Sequence, residues 1–372
     1  MGGKILQRRI EEILALADIR VNGDRPWDIH VHNEKFYGKV LTQGELGLGE
    51  SYMDGWWDCA CLDEFIYRAL KAGLQEKVTS RTAAFASLKA RLFNLQRGVR
   101  SFRVGERHYD IGNDLFECML DNRMIYSCGY WKGTRTLGQA QENKLDLVCR
   151  KLGFEPGMRV LDVGCGWGGT AKFVSERYQA EVVGVTVSTE QTRLAQETCR
   201  DLPVQIQLKD YRDINGEFDR IFSIGMFEHV GGKNYRTFMR TMRRLLKEDG
   251  LFLLHTIGAN RATKIINAWT NRYVFPNSYV PSPREISSAI EGLFVLEDWQ
   301  SFGADYDRTL MSWYHNFESN WPGLKDRYGD RFYRMWRYFL LSSAGSFRAR
   351  HRQLWQIVLS PKGIPGVYDA PR

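Results

Sequence analysis

Cysteine pairs, metal-spaced histidines and long apolar runs are what this 372-residue chain lacks. The cysteines Cys59, Cys61, Cys118, Cys128, Cys149, Cys165 and Cys199 include no C-x-x-C pair and are odd in number. A disulfide framework or a structural zinc is therefore not expected, and a reducing compartment fits. The histidines show no ligand spacing; His30 and His32 merely alternate, as on one face of a strand, so no metal is expected. No run of about 18 apolar residues exists, so no membrane-spanning helix is expected. The opening MGGKILQRRIEEILALADIRV carries acidic residues inside its apolar stretch and has no small-residue cleavage site, which argues against a signal peptide. Internal repeats and low-complexity tracts are also missing.

What the chain has in quantity is apolar and aromatic material. It is 43% hydrophobic, with 11 Trp, 17 Tyr and 20 Phe, enough for a substantial core and, at this length, for two domains. Its net charge is +8. A basic surface attracts nucleic acid and anionic membranes alike. Lys and Arg are scattered and no nucleic-acid motif accompanies them, so no nucleic-acid partner is expected.

Residues 1–80 read as a small mixed domain. Ile5, Leu6, Ile10, Ile13, Leu14 and Ala17 recur at helical spacing opposite Lys4, Arg8, Arg9, Glu11 and Glu12. Residues 81–104 are basic and read as a helical connector, and 105–372 as the catalytic domain. From Gly157 onward strands and helices alternate. Strands are expected at Arg159–Val163, Glu181–Thr186, Val204–Leu208, Phe218–Ile224, Leu251–Thr256 and Phe294–Trp299, with LWQIVLS as an added antiparallel strand. Such alternation predicts an α/β fold with a doubly wound, mostly parallel sheet, whose ligands bind beyond the carboxyl ends of the strands.

The segment RVLDVGCGWGG sits where a strand turns into a helix. Gly164, Gly166 and Gly169 satisfy G-x-G-x-x-G, a dinucleotide signature that is weak by itself. A dinucleotide site wants an acidic residue about 20 positions on to hold a ribose; the second strand ends instead at Thr186-Val187-Ser188. Asp162, two residues before the first glycine, matches the L-D-x-G-x-G loop of class I methyltransferases. There the glycines admit the methionine part of S-adenosylmethionine and the carboxylate lies near its ammonium. With no carboxylate after the second strand, Thr186 and Gln191 are left for the ribose hydroxyls. A glycine-rich turn that only packs strand on helix is the plain alternative.

Nearly the whole chain resembles the cyclopropane-fatty-acyl-phospholipid synthases, relatives of the mycolic acid cyclopropane synthases. The resemblance runs through HYDIGNDLF, MIYSCGYW, VLDVGCGWGG, GVTVSTEQ, FDRIFSIGMFEHVG, LLHTIG, YVFPN, FGADYD and GSFRARHRQLWQIV. It implies a class I S-adenosylmethionine-dependent methyltransferase fold with a small N-terminal domain. Carried over position by position, it implies that Tyr126 and Ser127 hold the methionine moiety, Gly164 and Gly166 the cofactor loop, and Thr186 and Gln191 the ribose. Asp210, Tyr211 and Arg212 lie where the adenine is held. It also implies a bicarbonate ion amid Cys128, Glu228, His255, Ile257 and Tyr306.

The implied reaction moves a methylene unit onto the cis double bond of an unsaturated acyl chain in membrane phospholipid. An alkene is itself the nucleophile, so Cys128 is expected to position rather than attack. Bicarbonate would donate its O–H to Glu228, take donors from Tyr306, His255 and the backbone N–H groups near Cys128 and Ile257, and accept the proton. The carbocation needs a dry pocket with aromatic faces; Trp269–Phe275 and Trp313–Trp321 are the candidates. A related outcome, a methyl branch or hydroxyl in place of the ring, stays open, as does a homodimer. The expected location is cytoplasmic, with the basic N-terminal helix in peripheral contact with the inner face of the membrane.

Overall fold

The computed structural model describes residues 2–77, 112–262 and 267–372. The connector at 81–104 and the start of HYDIGNDLF lie outside them. The chain divides into two compact units.

The second unit carries the alternating pattern. Its sheet has seven strands: β3 Arg159–Val163, β4 Glu181–Thr186, β5 Val204–Leu208, β6 Phe218–Ile224, β7 Leu246–Ala259, β8 Val295–Ser301 and β9 Arg352–Ser360, in the order β5-β4-β3-β6-β7-β9-β8. β3 to β7 pair in parallel, and β9 runs antiparallel to β8. Val160 to Val163 are all buried, as expected of a central parallel strand covered on both faces. Since β3 has β4 on one side and β6 on the other, the strand order reverses at its carboxyl end, and a crevice opens there.

Helices cover both faces. On one, α7 Leu137–Leu152 and α8 Gly169–Tyr178 bury Leu145, Val148 and Val174 against Val160, Val182 and Phe222. On the other, α11 Tyr235–Leu245 turns Phe238, Met239 and Met242 onto Phe252 and Ile221, with Arg240 and Arg244 outward. Local signals set the helix ends. Thr136 caps α7 and Gly153 ends it in the left-handed region; Ser188 caps α9 Thr189–Thr198. The expected strand spans hold to within a few residues, except that β7 begins five residues earlier than Leu251.

The first unit is larger than residues 1–80. Its described parts are 2–77, 267–276 and 310–352. It holds α1 Gly2–Ala15, α2 Lys35–Gln43, α3 Glu45–Met53, α4 Leu62–Lys71 and the two-residue strands β1 His30–Val31 and β2 Trp57–Asp58. It also takes α12 Ala268–Tyr273 and residues 310–348 of α14 Ala304–Arg348, a helix interrupted at Gly329. Trp57 is fully buried among Phe36, Tyr52 and Phe65. Trp269 packs on Tyr338, and Arg334 donates to the Trp57 carbonyl at 2.8 Å. Truncation at residue 80 would therefore strip Trp269, Tyr338 and Arg334 of partners rather than remove a free-standing domain. Trp269 and Trp313 are fully buried in this unit, Trp269 as part of its core, so the expectation that they face an acyl chain gains nothing from the structure.

On α1 the expected periodicity is present but its buried face is narrower than expected. Ile10 and Leu14 are buried, while Ile5 is 67% and Leu6 38% exposed. Among the described residues no helix is long and apolar enough to cross a membrane.

Candidate active site

The crevice at the β3 carboxyl end is a cavity of about 170 Å³. Its lining includes all ten residues assigned to the cofactor: Tyr126, Ser127, Asp162, Gly164, Gly166, Thr186, Gln191, Asp210, Tyr211 and Arg212. They arrive from four segments of the sequence, three of them at or after the carboxyl ends of parallel strands β3, β4 and β5. Gly166 sits at φ 54°, and a side chain there would meet no protein atom within 4 Å. The positive φ favours glycine, and the open space beside it belongs to the cavity. Gly169 serves differently. A Cβ there would fall 1.9 Å from the Arg123 carbonyl oxygen, so its bareness lets segment 123–127 lie against the start of α8.

Electrostatics inside the cavity are unbalanced. Asp162 is 2% exposed, its Oδ2 has no hydrogen-bond partner among the described residues, and burial pushes its carboxyl up to about 8. A buried acceptor of this kind suits an arriving ammonium. Thr186 donates to Gln191 Oε1 at 2.8 Å, joining the two ribose candidates. Asp210 is gripped by Arg212 through Nε at 2.7 Å and Nη2 at 2.5 Å, while Tyr211 packs edge-on against Phe238. Trp167 and Tyr126 both pack on Phe116 and close the near wall.

The five residues assigned to chemistry lie behind this lining rather than in it. Glu228 is buried on the short helix α10 Phe227–Val230, and its neighbours Met226, His229 and Val230 do line the cavity. Burial pushes the Glu228 carboxyl up to about 7. Its Oε1 accepts the Ile257 N–H at 2.5 Å, whereas Oε2 has no partner among the described residues. The Ile257 N–H was expected to face an ion; it is committed to Glu228, because a buried carboxyl takes the nearest backbone donor. His255, 1% exposed on β7, has Nδ1 3.3 Å from Gln356 Nε2, and its Nε2 is unpartnered. Burial holds its basicity well below the usual imidazole range, so the ring is neutral. Cys128 is fully buried, and burial pushes its thiol well above the usual value, which disfavours a thiolate. It packs against Thr309, one turn beyond Tyr306 on α14. The structure thus joins Glu228 to Ile257 directly and places Cys128 beside the helix that carries Tyr306. His255 reaches that helix's start through Phe302, 5.7 Å between rings.

Four supporting residues escaped the sequence. Thr309 accepts from Gly129 N and Trp131 Nε1 at 3.1 and 2.9 Å, fixing the Cys128 segment. Gln356 orients His255. Gln141 donates to the Ser127 carbonyl at 2.7 Å, and the Lys144 ammonium donates to Ser127 Oγ at 3.0 Å. The one local hint was Q-x-x-K on a helix, with two polar side chains on a face that should be apolar.

A cavity at the switch point, a bare glycine loop and a buried acidic side chain mark a class I S-adenosylmethionine-dependent methyltransferase. Comparison with known proteins narrows the class. The chain belongs to the family described as mycolic acid cyclopropane synthetase, whose model matches residues 96–357. It is 52% identical over 356 residues to the cyclopropane-fatty-acyl-phospholipid synthase of Escherichia coli strain K12, covering 95% of this chain and 93% of that one. A probable fatty acid methyltransferase of Pseudomonas putida is 36% identical over 71% of this chain and 70% of its own. Among solved structures, a mycolic acid cyclopropane synthase complexed with SAH and CTAB superposes with a TM-score of 0.66 at 31% identity, covering 69% of this chain and 97% of that chain. Coclaurine N-methyltransferase, at 22% identity and a TM-score of 0.71 over 84% of this chain and 98% of that one, shares the fold.

Proposed function

We infer that this chain transfers a methylene unit from S-adenosylmethionine to the cis double bond of an unsaturated acyl chain in membrane phospholipid. The products are a cyclopropane acyl phospholipid, S-adenosylhomocysteine and a proton. The observation that carries this reading is the likeness to the Escherichia coli synthase, which extends over 95% of the chain. The geometry supplies what the chemistry requires. The cavity residues would hold the cofactor, which would supply the electrophilic methyl carbon, while Glu228 and His255 lie behind the same wall. The alkene π pair would take up that methyl group as the sulfur–carbon bond broke, leaving positive charge on the second alkene carbon. Removal of a proton from the new methyl group then closes the ring. Glu228 suits the proton transfer, because burial poises it near neutrality and Oε2 is unsatisfied.

Two unmatched atoms support bicarbonate as the ion at this site. Gln356 Nε2 as donor to His255 Nδ1 leaves the hydrogen on Nε2, an unmatched donor, while Glu228 Oε2 is an unmatched acceptor. Glu228 and His255 would hold the ion, and the ion would supply the proton acceptor. The phospholipid is reached from the membrane surface, where α1 presents Ile5, Leu6 and the basic Lys4, Arg8 and Arg9.

A methyl-branched olefin is the second reading, favoured by the likeness to the Pseudomonas fatty acid methyltransferase. It has the same mass as the ring product, so mass alone does not decide. The enzyme is incubated with labelled S-adenosylmethionine and vesicles of monounsaturated phospholipid, and the product is read by proton NMR. Loss of olefinic signals with gain of ring methylene signals is expected; labelled lipid that keeps its double bond would refute ring closure.

A further inference from the structure

Behind the cavity wall lies a cation that the reaction as described does not use. Lys144 is fully buried on α7, and among the described residues its ammonium has Ser127 Oγ as hydrogen-bond partner, at 3.0 Å. One turn earlier on the same face, Gln141 is also fully buried and donates to the Ser127 carbonyl at 2.7 Å. The i, i+3 spacing lets one helix hold both the backbone and the side chain of a residue that lines the cavity. A fully buried lysine is costly, and burial lowers its basicity to about 8, against the pull of Asp121, Cys128 and Asp162. A purely structural anchor for Ser127 needs no charge.

The chemistry of a hydroxyl indicates what the charge does. A serine oxygen has two lone pairs and one hydrogen. With an ammonium on one lone pair, the hydrogen turns away from Lys144, and the polarised O–H becomes a stronger donor. Ser127 borders the cavity, so the hydrogen is available to an acceptor there. Asp162, an acceptor in the same cavity, suits the ammonium of an α-amino acid group. Its natural counterpart is a donor backed by positive charge for the carboxylate of that group.

We propose that Lys144 is a positioning residue that makes Ser127 the hydrogen-bond donor to the α-carboxylate of the cofactor's methionine moiety. This rests on the cavity being the S-adenosylmethionine site. Lys144 acts through Ser127, lends its charge to the carboxylate end, and gives the cavity its preference for ligands that retain the amino-acid group. The adenine and ribose ends are bound by other residues and do not sense it.

The test compares two ligands by calorimetry: S-adenosylhomocysteine, which has the amino-acid group, and 5′-methylthioadenosine, which lacks it. Wild-type protein is expected to bind both, the first more tightly. Lys144→Met, close in shape and uncharged, should weaken S-adenosylhomocysteine by about tenfold to a hundredfold, the scale of a charged hydrogen bond, and leave methylthioadenosine within about twofold. Ser127→Ala should show the same selective loss, and the double variant should lose no more than either single one. If Lys144→Met does not fold, as judged by its thermal melt, Ser127→Ala decides alone. Equal weakening of both ligands in the folded variants would make Lys144 a structural residue and overturn the proposal. If wild-type protein bound neither ligand, the assignment of the cavity to the cofactor would have failed instead.

Discussion

Asp162 makes cofactor binding depend on pH in a direction the structure specifies. In the free cavity its carboxyl is pushed up to about 8 by burial, so near neutrality it holds a proton. An ammonium placed against it favours the carboxylate, and the acid returns toward or below its ordinary range. Binding at about pH 7 must therefore expel a proton. Because only the deprotonated form binds well, apparent affinity rises about tenfold for each pH unit below about 8 and levels off above it. Between about pH 6 and about pH 7 this corresponds to roughly 1.4 kcal/mol. Lys144, lowered to about 8 by burial, titrates near the top of the range, so the proton count is read between about pH 6 and about pH 7, where it stays mostly charged. Titration calorimetry with S-adenosylhomocysteine, repeated in buffers of different ionisation heat, measures both affinity and protons released. Asp162→Asn should flatten the profile and abolish the buffer dependence. An affinity constant between about pH 6 and about pH 8, with no proton released by wild-type protein, would refute the reasoning.

Three further outcomes follow from particular contacts. Gly166→Val puts a branched side chain at φ 54° and into the cavity; thermal stability should fall by about 1–2 kcal/mol while cofactor affinity in calorimetry collapses. Glu228→Gln should lower turnover roughly a hundredfold or more in the labelled-lipid assay with cofactor affinity little changed, because Glu228 stands outside the cavity lining. Ile5→Glu with Leu6→Glu, both on exposed positions of α1, should leave the thermal melt unaltered and reduce sedimentation with anionic vesicles; unchanged sedimentation would remove α1 from the docking surface.

Much of the site was legible because it is local. The turn after β3 needs glycine where φ is positive, and a strand end must show its last residues to a crevice. Asp162, Gly164, Gly166, Thr186 and Gln191 could therefore be named from spacing alone, and all of them line one cavity. Glu228 and His255 came from the family resemblance; Glu228 follows β6, and His255, inside β7, pairs with Ile224 at the end of β6. The strands themselves were legible because a parallel sheet buried on both faces requires continuous apolar runs.

What stayed hidden depends on partners distant in sequence. Nothing near Ile257 says that its N–H will be taken by Glu228, 29 residues away. A lysine on a helix is ordinarily solvated, and only the packing of α7 under segment 123–127 drives Lys144 inside and onto Ser127. Likewise the periodicity of α1 defines a helix, but which side is covered depends on what packs there, and Ile5 and Leu6 stay in the open. Residues 267–276 and 310–352 join the N-terminal unit for the same reason: Trp269, Arg334 and Tyr338 find their partners in a segment more than 200 positions earlier. Periodicity and turn chemistry are written within a few residues, so the sequence by itself determined the elements, the cofactor loop and the rim. Buried donors and charges are matched across the whole chain, so only the tertiary structure decided who holds whom.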